Sequence, residues 1–88
     1  MQTGIYEHYK GLLFVVLGEV TLEGDSLEPA ILYQALYDDY RVWVRTKKDF
    51  SSLVAMPEYA DEGARFRFVR EWTKEDALLH PRVHPLIS

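Results

Sequence analysis

Eighty-eight residues with a net charge of −4 make one small domain, with no room for a deep cleft between lobes. Apolar residues form 48% of the chain and aromatics 14%, which excludes a disordered profile, while the overall acidity excludes strong nonspecific binding to nucleic acid. Cysteine is absent, so disulfides, thiolate metal sites and a cysteine nucleophile are ruled out and a reducing compartment is the natural setting.

The start, "MQTGIYEHYKG", has no cationic segment leading into an apolar one, so it does not read as a secretory signal. The longest apolar run, "LLFVVL" at 12–17, falls far short of the ~20 residues that span a bilayer. A cytoplasmic protein with no membrane association is expected. "GIYEHY" at 4–9 reads as a short strand, and Lys10-Gly11 supplies a turn. "LLFVVLGEV" at 12–20 follows as a strand apolar on both faces, with Gly18 marking a bulge.

"TLEGDSLEP" at 21–29 is a polar loop. "AILYQALY" at 30–37 is a long strand with Ile31, Tyr33, Ala35 and Tyr37 on one face and Leu32, Gln34 and Leu36 on the other. "DDY" turns the chain, since Asp38 and Asp39 tolerate turn backbone, and "RVWVR" at 41–45 returns as the paired strand.

Thr46 followed three residues later by Asp49 has the form of a helix start, and Phe50 then points inward. "SSLVAM" is extended, "PEYADEG" at 57–63 is the most exposed loop, and "ARFRFV" at 64–69 alternates Phe66 and Phe68 against Arg65 and Arg67. Thr73 to Asp76 opens a short helix that Pro81 stops, and "HPRVHPLIS" reads as an extended, mobile tail. Five or six short strands and one short C-terminal helix predict a mainly β fold. The expected architecture is a small barrel or roll over residues 1–70, followed by a helical turn and tail over 71–88.

Together, "GIYEHYKG" at 4–11, Phe14, "VLG" at 16–18, "LYQALY" at 32–37, "WVR" at 43–45, Phe50 and "RFRFV" at 65–69 resemble the DUF1653 family of small bacterial domains of unknown function. The resemblance covers most of residues 4–69 and implies an SH3-like barrel or roll; it implies no activity. Two departures stand out. The family's loop histidine after "VLG" is missing from "EVTLEGDSLEP", and Thr46 stands where the family usually has proline.

Charge is unevenly placed. Residues 1–40 hold Lys10 against seven acidic residues, a net −6, whereas 41–70 carry a net +3 and 71–88 a net −1. His8 lies between two tyrosines with no nucleophile beside it in sequence, and the plain reading is a histidine that hydrogen-bonds within the fold. His80 and His84 have the four-residue spacing of a helical zinc pair, but Pro81 and Pro85 break any such helix and no third ligand is near. Phosphate-loop, nucleophile-elbow and Walker patterns are absent.

No enzyme, cofactor or metal is therefore expected. The remaining candidates for binding are Tyr6, His8, Tyr37, Tyr40, Arg41, Trp43, Arg45, Arg65 and Arg67, aromatic and arginine side chains of the kind that concentrate at interfaces and stacking platforms. The competing reading puts the aromatics in the core and leaves the arginines solvated. Trp43 shares a strand face with Arg41 and Arg45, so a partly covered indole with a guanidinium on its ring is expected. The expected function is a non-enzymatic module that binds a protein or peptide, as a monomer or weak homodimer. The alternative is a nucleic-acid-associated domain using the basic 41–70 segment.

Overall fold

The computed structural model describes residues 1–56 and 61–85. The strands are β1 (Gly4–His8), β2 (Leu13–Leu22), β3 (Glu28–Ala35), β4 (Val42–Thr46), β5 (Leu53–Met56), β6 (Asp61–Ala64) and β7 (Phe66–Arg70). Two short helices, α1 (Lys47–Phe50) and α2 (Lys74–Leu79), interrupt and follow them. Five strands form an antiparallel sheet in the order β4-β3-β2-β1-β7, and β5 and β6 form a separate hairpin.

The fold is mainly β, as the alternating pattern predicts, but the sheet is not closed into a barrel. It is instead strongly curved. Four strand spacings separate β4 from β7, about 19 Å in a flat sheet, yet the Arg45 guanidinium of β4 lies 5.9 Å from the centre of the Phe66 ring on β7. A bulge helps to bend it: Val16 pairs with Tyr33 and Gly18 with Leu32, leaving Leu17 as the extra residue. Gly4 allows the β1–β7 junction to close. Its φ is +135°, and a Cβ there would sit 2.6 Å from the carbonyl oxygen of Arg70.

The concave face holds the aromatic core. Tyr6, Phe14, Val16, Ile31, Tyr33, Ala35, Phe50 and Phe66 form one buried cluster, with Tyr37 packed against it. The period-two alternation of β3 puts Ile31, Tyr33 and Ala35 on this face, as expected. Phe50 reaches it because Thr46 caps α1: the Thr46 hydroxyl accepts from the Asp49 amide at 3.1 Å.

Three expectations change. Residues 61–63, read as part of an exposed loop, lie in β6 and pair with β5; residues 57–60 of that loop lie outside the described residues. The 21–29 loop is shorter than expected, because β2 runs to Leu22 and β3 begins at Glu28. Residues 80–85, expected to trail free, fold back onto the opposite face of the sheet. There the buried Gln34 amide donates to the carbonyls of Tyr40 (2.9 Å) and Arg82 (3.1 Å) and accepts from the His84 amide (3.0 Å).

Helix α2 leads into this segment. Thr73 and Asp76 form a reciprocal capping box, and Arg70 reaches both oxygens of the nearly buried Asp76, at 2.5 and 2.7 Å. The Arg70 hydrogen bonds, joined by those from Thr73, hold the Asp76 carboxyl well below the usual carboxylate range against the opposing effect of burial. A depressed folded pKa means stability that is complete above the pH at which a free aspartate titrates and is lost as pH falls further. Asp76→Asn is expected to cost about 1 kcal/mol and to flatten the acid limb of α2 unfolding. Amide exchange of residues 74–79 at pH 3 and pH 7 checks this; equal acid sensitivity in variant and parent would refute it.

Candidate functional site

The curvature opens a cleft of about 260 Å³ at one end of the concave face. Its floor is the buried Phe14, Tyr33 and Phe66, whose ring centres lie 5.4 to 5.7 Å apart in edge-to-face contact. Tyr37, 5.5 Å from Phe14, and Trp43 form the walls, and His8, Lys10, Leu12 and Arg45 complete the lining. Among the described residues, no carboxylate lines it.

Each polar group is placed by its strand. Arg45 donates from Nε to the Tyr33 hydroxyl at 3.3 Å and from one terminal nitrogen to Asp49 at 2.5 Å. The guanidinium is thus held over Phe66 rather than free in water. Arg45 is half-buried, and these hydrogen bonds, that to Tyr33 foremost, raise its pKa. The Lys10 backbone amide donates to His8 Nδ1 at 3.2 Å, which leaves the proton of the neutral ring on Nε2. Burial lowers the His8 pKa, and the charges of Lys10, Arg45 and Arg65 lower it further. His8 is therefore neutral at pH 7, in a positive local field. Lys10 follows β1 at a turn closed by the Gly11 amide donating to the His8 carbonyl at 2.7 Å.

Of the residues singled out from sequence, the cleft brings together His8, Tyr37, Trp43 and Arg45. Tyr6 belongs to the core instead, its hydroxyl donating to the Gln2 carbonyl at 2.7 Å, and burial raises its pKa. Arg41 lies 5.5 Å from the Trp43 ring and pairs with Asp39 at 3.3 Å, lining an adjacent pocket of about 360 Å³ with Tyr37, Asp38 and Trp43. Arg65 donates to the Ser52 hydroxyl, and Arg67 pairs with Glu7.

Tyr40 lies away from the cleft. Its backbone is left-handed (φ +55°), its hydroxyl is 2.8 Å from His80 Nδ1, and Arg82 lies 5.1 Å from its ring. His80 is thus engaged with Tyr40, and among the described residues no group of three metal-ligating side chains occurs.

Lys10, Leu12, Phe14, Tyr33 and Phe66 were not singled out as binding residues, yet they complete the lining. The alternation of β3 and β7 marks Tyr33 and Phe66 as concave-face residues. That this face stays open at one end follows from sheet curvature, which no local pattern reports.

The sheet edge beside the cleft is exposed. β4 is an outer strand carrying Val42, Trp43 and Val44, which are 38%, 44% and 48% exposed. The Ala35 amide donates to the Arg41 carbonyl, and 35 and 41 continue the Gln34–Val42 register. The alternation of antiparallel ladders then turns the backbone N–H and C=O groups of Val42 and Val44 outward. Among the described residues, no strand pairs with them.

A family model described as a protein of unknown function, DUF1653, matches residues 4–70. A crystal structure of a DUF1653 protein from Bordetella bronchiseptica superposes with a TM-score of 0.71 at 25% identity, covering 83% of this chain and 92% of that one. No curated protein matches the chain. Among the described residues, no helix is long and apolar enough to cross a membrane. The match spans the whole five-stranded sheet and the cleft it encloses, and the chain belongs to the DUF1653 family, proteins of unknown function.

Proposed function

We propose that this domain is a non-enzymatic peptide-binding module, in which an extended segment adds to the outer edge of β4 and places a side chain in the aromatic cleft. The observation that carries this reading is one strand serving both features: β4 presents outward backbone groups at Val42 and Val44 while its Trp43 and Arg45 line the cleft. Strand addition draws affinity from main-chain hydrogen bonds and specificity from adjoining pockets. Exposed edges are normally blunted by charge, proline or cover; β4 instead carries three successive apolar residues.

The surroundings of His8 support the non-enzymatic part of this reading. Among the described residues, the His8 ring hydrogen-bonds to the Lys10 amide, and no carboxylate orients it. The nucleic-acid alternative is weakened by pairing. Arg41, Lys47, Arg67 and Arg70 of the basic segment each form an ion pair with a carboxylate, which lowers the net charge that the segment offers to phosphates.

The test is amide NMR titration with a pool of random octapeptides bearing free termini, on the parent protein and on Val44→Pro. Proline at an outward-facing edge position removes a donor without breaking the β3–β4 ladder. Shifts over residues 42–46 and the cleft are expected, with tight members binding at about 10–100 μM and weakened at least tenfold in Val44→Pro. Binding indifferent to Val44→Pro, or shifts produced at physiological salt by a single-stranded oligonucleotide alone, would overturn the reading.

A further inference from the structure

We infer that the cleft receives the C-terminal residue of its peptide, an apolar side chain bearing a free α-carboxylate. This rests on the peptide-binding reading above and names what that site selects.

Its floor is apolar and aromatic, built from Phe14, Tyr33 and Phe66, and three side chains able to donate to an anion line it: Lys10, His8 with its proton on Nε2, and Arg45, one of whose terminal nitrogens binds neither Tyr33 nor Asp49. Among the described residues Lys10 has no carboxylate partner; its ammonium lies 5.8 Å from the Tyr9 ring. Burial first, and then the charges of Lys10, Arg45 and Arg65, disfavour a proton on His8, so the ring donates from Nε2 as a neutral group.

A volume of about 260 Å³ holds about one residue. The floor calls for an apolar body and the donors call for an anion. Aspartate or glutamate provides the anion without the body, and an internal leucine or phenylalanine the reverse. Among unmodified residues, one provides both only where it ends its chain.

The experiment compares three pools of hexapeptides, random over the first five positions, by amide NMR titration at constant salt. One ends in phenylalanine as the free acid, one in phenylalaninamide, and one in glutamate as its C-terminal amide. The free acid is expected to bind at least tenfold more tightly than either amide pool, with the largest shifts at His8, Lys10 and Arg45. Lys10→Gln, at an exposed turn, should weaken the free-acid pool at least fivefold more than the phenylalaninamide pool, so that most of the preference is lost.

Equal binding of free acid and phenylalaninamide, with shifts still on β4, would overturn the terminal-carboxylate inference and leave the peptide reading standing. Equal binding of the glutamate pool would also overturn it, by making a side-chain carboxylate the recognised group. If no pool shifts β4 or the cleft at about 5 mM, where even the weakest specific contacts register, both readings fall.

Discussion

Phe50→Ala is expected to lower stability by about 3–5 kcal/mol, which is most of what a domain of this size has to lose. Phe50 is 2% exposed and stacks flat on Phe66, with ring centres 4.1 Å apart and planes 2° from parallel. Tyr6 and Tyr33 meet it edge-on at 5.6 and 5.4 Å. Removing the ring leaves a cavity that three rigid aromatics, each fixed to a different strand, cannot collapse to fill.

The side chain arrives from α1, a single turn too short to persist alone, so its position depends on the Thr46 cap and the Arg45–Asp49 pair at 2.5 Å. Arg45 and Phe66 also line the cleft, so the variant should lose binding together with stability. Urea unfolding followed by tryptophan fluorescence measures the first, with Phe50→Leu as a milder control expected to lose under about 1.5 kcal/mol. A shift below about 1 kcal/mol for Phe50→Ala would mean that the concave core is held by the sheet alone.

The strands that were legible in sequence are those whose side chains obey period two against a buried face. β3 and the start of β7 belong here, because a one-residue slip in either would turn buried rings to water. β6 was not legible: "DEGA" is poor in β-forming residues, and pairing with β5 imposes its conformation. Closure was overestimated for a related reason. Alternation reports that a sheet has an inner face, and says nothing of whether its edges meet.

The site divides the same way. Trp43 and Arg45 were identifiable because they share a strand face, and the guanidinium on the indole ring comes from Arg41, which lies one pair further along it. Tyr40, only three residues from Trp43, is carried to the opposite side by its left-handed backbone. Lys10 looked like an ordinary turn residue. Its importance arises from what β2, β3 and β4 bring across from it, at separations no local pattern spans.

Gln34 makes the same point on the convex side, where its replacement should have the second large effect. Gln34→Leu is expected to cost about 2–3 kcal/mol, because it removes three hydrogen bonds of a buried side chain at once. Those partners, the carbonyls of Tyr40 and Arg82 and the amide of His84, come from segments with no regular ladder to fall back on. The side chain does for this irregular backbone what a neighbouring strand does elsewhere.

Releasing it should free residues 80–85 and loosen the turn at 38–40, while the aromatic core on the other face stays packed. Amide exchange separates the two: protection should fall at Arg82 to His84 and at Tyr40, and hold at Val15 and Tyr33. Gln34→Glu sharpens the argument, since it keeps an acceptor for His84, loses both donated bonds and buries a charge. It should be no more stable than Gln34→Leu near neutral pH and recover in part in acid as the carboxyl takes up a proton. If Gln34→Leu matched the parent in stability and in protection of Arg82 to His84, the C-terminal segment would have to be held by its other contacts, among them Tyr40–His80 and Arg82 against the Asp39 carbonyl and the Tyr40 ring, and Gln34 would be a passenger of its strand.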